Sequence, residues 1–204
     1  TLLYLHGNYE DLSGLNDYLP RFVDEGYAVF AIDYRRYGRS EGAPTEANVT
    51  ADAALAYDYM RTKLGVPADR IIIFGYSLGG GPGVELARQR PAAGLVLQGA
   101  FVSAYRVMTV VPVFPGDKFV NIAKMPELKL PVFVIHGTAD DTVKPRNAIL
   151  LSRRLHELGA PVEFRAYNDL SHEDVVMALS KPFRNKAAVL QDSADFLMKA
   201  VQKR

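Results

Sequence analysis

Along the chain, short and nearly continuous apolar runs alternate with longer stretches in which apolar residues recur every three or four positions. The runs are Leu2 to His6, Tyr27 to Ile32, Arg70 to Phe74, Leu95 to Gln98, Val132 to His136 and Val162 to Tyr167, and most of them are nearly continuous in apolar residues, as strands buried on both faces should be. Between them Leu12, Leu15, Leu19 and Phe22 repeat at helical spacing, as do Ala53, Tyr57, Met60 and Leu64, then Leu151, Leu155 and Leu158, and finally Leu190, Ala194, Leu197 and Val201. Gly26, Gly65 and Gly159 stand where helix C-termini take a left-handed residue. The alternation predicts an α/β fold, a mostly parallel sheet of about six strands flanked by helices.

Phe101 to Leu130 fits neither period, and Pro112, Pro115 and Pro126 exclude one long helix there. A connection of that length usually carries function or small helices of its own. It is too short for a large cap domain, so residues 101–130 read as a short lid-like connection over an open site.

At 204 residues the chain has the length of a single domain, 1–204, and 49% hydrophobic with 23% charged residues is ordinary for a globular protein. A formal charge of +1 provides no field for nucleic acid or anionic lipid, which favours a small-molecule partner. The absence of cysteine excludes disulfides, thiolate catalysis and Cys-based metal sites. The longest apolar stretches, such as Val107 to Phe114, fall well short of a membrane span. No signal peptide is in view and the assignment is cytoplasmic, although Thr1 opens inside a strand pattern and an upstream segment is expected.

Candidate chemistry begins at Gly75-Tyr76-Ser77-Leu78-Gly79, directly after an apolar strand and before a helix start at Gly80-Gly81-Pro82-Gly83. A serine there projects its hydroxyl above the sheet, and glycines two positions to either side let neighbouring backbone approach. Alone, the motif is equally compatible with a strand-to-helix loop without chemistry, so its meaning depends on partners. Val132 to His136 ends in a turn carrying Asp140 and Asp141, at the edge where parallel sheets collect their functional loops. Asp140 is the chosen acid and Asp141 the fallback. After the last strand, His172 stands in a polar loop at the same edge. His156 reads as a surface group, and His6 and His136 as strand-end histidines bonded to nearby loops. A serine hydroxyl needs a base, and the base needs a carboxylate to hold its tautomer, so the chain order Ser77, Asp140, His172 is meaningful. An oxyanion requires two donors, assigned to the N–H groups of Leu78 and Asn8, with Tyr9 as the alternative to Asn8. No metal-ligand spacing or phosphate-loop motif occurs, and no cofactor is expected.

Taken together, His6-Gly7-Asn8, the segment Asp33 to Gly42, the Gly75 to Gly79 turn, His136-Gly137 to Asp140, and Ser171-His172 resemble the α/β-hydrolase superfamily, and more narrowly the Bem46-like serine hydrolases. The resemblance implies a Ser77, Asp140, His172 triad with esterase or thioesterase chemistry. Two departures stand out. Arg36 occupies a position that is more often glycine in the family, and family members carry additional strands before the one that begins here. The expected function is a serine hydrolase cleaving carboxylic esters of small to medium acyl groups through an acyl-enzyme. A thioesterase or lipid deacylase is the alternative within enzymes, and a non-catalytic hydrolase-like binding module the alternative outside them. Tyr9, Tyr76, Met108 and Phe114 are the side chains assigned to the substrate, although the apolar residues of the connection serve equally well to cover the sheet edge.

Overall fold

The six apolar runs form six strands of one parallel sheet: β1 Leu2–Leu5, β2 Val29–Ala31, β3 Ile72–Tyr76, β4 Gly94–Gln98, β5 Val132–Gly137 and β6 Val162–Tyr167. The structure, a computed structural model, describes residues 1–107 and 116–177. Met108, Phe114 and the helix expected at Leu190, Ala194, Leu197 and Val201 lie outside the described residues.

The strand order is β2-β1-β3-β4-β5-β6, and every neighbouring pair is parallel. The chain therefore moves outward from β1 to β2, returns past β1 to β3, and continues to the other edge. Connections leave in opposite directions from β1 and β3, which opens a crevice above their C-terminal ends. Strand period decides what each face buries. Leu3, Leu5, Ile73, Leu95, Leu97, Val132 and Val134 lie on one face against residues of α2 (Glu46–Thr62), α3 (Gly80–Gln89) and α5 (Arg146–Glu157). On the other face, Tyr4, Phe74, Tyr76 and Phe133 form an aromatic layer with Tyr18 and Phe22. Each such side chain, fully buried, contributes roughly 1.5–3 kcal/mol by leaving water.

The helices follow the expected stripes with two adjustments. The repeat from Leu12 to Phe22 is divided into a 3-10 turn, Leu12–Leu15, and the short helix α1, Leu19–Asp24. Asp11 caps the first piece by accepting from Ser13 N–H at 2.9 Å, and Pro20, which has no N–H to donate, takes the first turn of the second. Leu64 and Leu158 fall just beyond α2 and α5 and are 52% and 38% exposed, so those stripes end a turn earlier than their spacing suggests. Gly26, Gly65 and Gly159 do take positive φ at helix ends.

The connection after β4 carries small helices where it is described: a 3-10 turn Tyr105–Val107, α4 Asn121–Lys124 and a 3-10 turn Met125–Glu127. Phe119 seats it on the Gly81 backbone of α3, so closely that a side chain at 81 would overlap the ring. No helix among the described residues is long and apolar enough to cross a membrane.

Candidate active site

Three loops at the C-terminal edge of the sheet meet around Ser77. The first leaves β3, where Ser77 takes φ 49° and the chain turns at once through Ser77–Gly79 into α3. That sharpness needs glycine on both sides. A Cβ on Gly75 would stand 2.6 Å from Gly79 O, and one on Gly79 would overlap the Leu5 carbonyl of the adjacent strand. Ser77 is half-buried.

The second and third loops follow β5 and β6 and are tied together. Thr138 N–H donates to Tyr167 O at 2.9 Å, Ala139 N–H to Leu170 O at 3.1 Å, and Asp169 N–H to Thr138 Oγ1 at 3.0 Å. His172 opens the helix α6 (His172–Met177) under a reciprocal cap: Asp174 N–H donates to Ser171 Oγ at 3.1 Å, and Ser171 N–H to Asp174 Oδ2 at 3.3 Å. The result is a continuous hydrogen-bonded chain. His172 Nε2 lies 2.8 Å from Ser77 Oγ, and His172 Nδ1 lies 2.7 Å from Asp140 Oδ2. Asp141, the fallback, points into solvent and pairs with Lys144.

Asp140 is 1% exposed. Burial pushes its carboxyl up, yet hydrogen bonds from His136 and His172 and from Val143 N–H outweigh that and hold it at about 2. With the folded group below its usual range, its ionised form stabilises the fold above the ordinary carboxylate pKa, and this contribution is lost as pH falls toward about 2.

Leu78 N–H lies in the first turn of the helical segment, among the amides that helix geometry leaves without an intrahelical acceptor. Asn8 stands across the crevice on the turn after β1, a strand in register with β3 at Leu5 and Gly75. That turn is pinned on both sides of the Asn8 amide. Gly7 N–H donates to Glu10 Oε2 at 2.8 Å, and Tyr37 hydroxyl donates to Asn8 Oδ1 at 2.6 Å.

The sequence pattern of the family described as serine aminopeptidase, S33, matches residues 1–122, and that of the prolyl oligopeptidase family matches residues 114–204. The chain belongs to the α/β-hydrolase superfamily. It is 36% identical to alpha/beta hydrolase domain-containing protein aho-3 of Caenorhabditis elegans over 162 residues, 76% of this chain and 47% of that protein. It is 34% identical to human alpha/beta hydrolase domain-containing protein 17B over 178 residues, 86% of this chain and 61% of that one. The chain thus spans about half to three fifths of the length of these curated relatives. Among solved structures, a sugar hydrolase from Lactococcus lactis shares the fold with a TM-score of 0.82 at 14% identity, covering 100% of this chain and 90% of that one. An esterase from Pyrococcus furiosus does so with a TM-score of 0.79 at 18% identity, covering 98% and 82%.

In this α/β-hydrolase one of the side chains assigned to substrate is placed differently from expectation. Tyr76 is only 4% exposed; its ring packs against the His172 ring at 5.2 Å and its hydroxyl donates to His172 O at 3.2 Å. It belongs to the support behind the histidine, because a residue just before the turn points into the aromatic face. Tyr9 is 96% exposed and stands out from the turn that carries Asn8.

Two residues at this candidate site escape motif reading. Gly99, with φ 59°, lets the His172 ring approach, since a Cβ there would stand 3.1 Å from His172 Cε1. Glu10 fixes the Gly7 amide; burial raises its carboxyl above the usual range, while the Gly7 N–H and the His172 charge act the other way. A glycine after a strand and an acidic residue in a turn are both common, so only their juxtaposition in the fold marks them.

Proposed function

We propose that this α/β-hydrolase is a serine esterase that cleaves carboxylic esters of small to medium acyl groups through an acyl-enzyme. One observation carries the reading: the unbroken chain from Ser77 Oγ through both nitrogens of His172 to the buried Asp140 carboxylate, with bonds of 2.8 and 2.7 Å. His172 Nε2 takes the Ser77 proton as Oγ forms a bond to the ester carbonyl carbon. The carbonyl oxygen becomes an oxyanion facing Leu78 N–H and Asn8 N–H, a stabilisation typically worth about 3 kcal/mol per donor. Collapse breaks the ester C–O bond, and the leaving alkoxide takes the proton from His172. Water then repeats the sequence on the acyl-enzyme, releasing the acid and restoring the serine. Asp140 stays ionised throughout and holds Nδ1–H, the role its depressed carboxyl suits.

The test is turnover of nitrophenyl esters of graded chain length, alongside matched thioesters and anilides, with fluorophosphonate labelling. Short esters are expected to turn over fastest, and the label is expected on Ser77. Ser77→Ala is expected to lose both. A Ser77→Ala variant that kept full activity, or a wild-type chain inert to the label, would remove the mechanism.

A further inference from the structure

The Asp140 carboxylate accepts from two histidines, not one. Its Oδ2 lies 2.7 Å from His172 Nδ1 and 3.0 Å from His136 Nε2, while its Oδ1 accepts from Thr142 N–H at 3.0 Å and Val143 N–H at 2.7 Å. His136 is the penultimate residue of β5 and is 1% exposed. Its Nε2 is also 2.7 Å from Val143 O, which can only accept, so the proton sits on Nε2 and is shared between Val143 O and Asp140 Oδ2. A closed ring results: His136 to Val143 O, Val143 N–H to Asp140 Oδ1, and Asp140 Oδ2 back to His136.

The other ring nitrogen tells the same story from the opposite side. His136 Nδ1 is buried with no hydrogen-bond partner among the described residues. An apolar side chain of similar volume would avoid the unpaired Nδ1 but would remove the donor that Nε2 supplies to Val143 O and Asp140 Oδ2. The histidine is therefore explained by what Nε2 does.

We propose that His136 is a positioning residue for the hydrolytic reaction: it locks the plane of the Asp140 carboxylate, and by sharing Oδ2 it limits how strongly Asp140 supports a charged His172. This rests on the Ser77, His172, Asp140 reading above. Removing the second donor leaves Oδ2 a stronger acceptor toward His172, so the imidazolium is better stabilised and the base is silenced at higher pH. The other titratable groups facing His172 are Glu10 from the turn after β1 and Tyr76 from β3, with Glu173 beside it on α6 acting on both; none donates to Asp140 Oδ2.

The discriminating pair is His136→Gln, whose amide nitrogen reaches about as far as Nε2, and His136→Asn, which is polar but stops short of Oδ2. His136→Asn is expected to lose about tenfold in kcat for a short nitrophenyl ester and to move the acid limb of the kcat/KM profile to higher pH, with KM little changed. His136→Gln is expected to keep the wild-type limb. Equal behaviour of the two variants, or a fall in kcat with an unmoved limb, overturns the proposal in favour of a structural role. A measurement on the wild-type chain stands independently of how the variants fold: nitrogen-resolved NMR of the histidine rings is expected to show His136 protonated on Nε2 and bare on Nδ1, and the opposite tautomer overturns the proposal. Fluorophosphonate labelling of wild-type Ser77 is run alongside. Its failure overturns the serine reading and the proposal with it, whereas labelled Ser77 together with the opposite His136 tautomer overturns the His136 proposal alone.

Discussion

Ser77 and Arg36 both hold a left-handed backbone without being glycine, at φ 49° and 75°, and both lie on turns that follow strands at the C-terminal edge of the sheet. Such a conformation costs roughly 1–2 kcal/mol for a residue with a Cβ. The two turns bear it differently. At Ser77 it is enforced from all sides: Gly75 and Gly79 permit contacts that any larger residue would break, β1 presses from the neighbouring register, and α3 begins at once. Arg36 is exposed and is held mainly by backbone bonds of its own loop, Arg36 N–H to Ser40 O at 3.0 Å and Tyr37 N–H to Tyr34 O at 2.9 Å. Equal strain therefore has unequal meaning. The first turn aims a hydroxyl at a base, and the second aims a charged side chain at water.

The largest effect that would test this contrast comes from replacing Ser77 by glycine and by alanine. Both variants lose the hydroxyl, and ester turnover is expected to fall by about 10⁵ or more in each. Glycine relieves the strain that alanine retains, less the entropy it adds to the unfolded chain, so Ser77→Gly is expected to exceed Ser77→Ala by about 0.5–1 kcal/mol in urea unfolding. Equal stabilities would mean that the turn is not strained.

A smaller effect concerns the turn that faces Ser77 across the crevice. Glu10→Gln keeps an acceptor for Gly7 N–H and removes a carboxylate whose charge acts on His172. Since Glu10 is raised by burial, its protonated form is favoured in the fold, and its stabilisation is lost as pH rises past the ordinary carboxylate range. The variant is therefore expected to be at least as stable as wild type at neutral pH. With one anion fewer near His172, the acid limb of the pH–rate profile should move down by a few tenths of a unit, opposite in sign to His136→Asn. A limb that moved upward would show that Glu10 acts on His172 in some other way than through its charge.

How much of this was legible in the sequence depends on the range of the contacts involved. The inner strands are legible because burial on both faces forces nearly continuous apolar runs, and β3, β4 and β5 fall within two residues of expectation, whereas the edge strands β2 and β6 are only partly buried. Ser77, Asp140 and His172 are legible because each lies just past a strand end, and parallel topology delivers those ends to one edge. Capping could have marked His172 further, since Ser171 and Asp174 have the spacing of a helix start. What was hidden depends on which atoms meet across elements distant in the chain. Gly99 matters because His172 arrives from 73 positions away to press on it, and Tyr76 changes role because its side chain faces the aromatic layer and not the crevice. Likewise His136 looks like any strand-end histidine until the loop after β5 folds back and sets Asp140 against it.

The smallest predicted effect falls at Arg36, where the resemblance to other hydrolases already pointed to an unusual residue. Arg36→Gly removes a positive-φ penalty of about 1 kcal/mol and adds unfolded-chain entropy of about half that, so a net gain of about 0.5 kcal/mol is expected in urea unfolding. Arg36→Ala should give no such gain, because alanine keeps the Cβ. Ester turnover is expected to stay at the wild-type level in both, since the loop's ties to the site run through Tyr37 to Asn8 and through Asp33 to Leu12 N–H, not through the Arg36 side chain. If turnover falls in Arg36→Gly while Arg36→Ala is unaffected, the backbone at 36 is setting the position of Tyr37, and the strain there serves the oxyanion turn after all. The two turns would then differ only in distance from the reacting atoms.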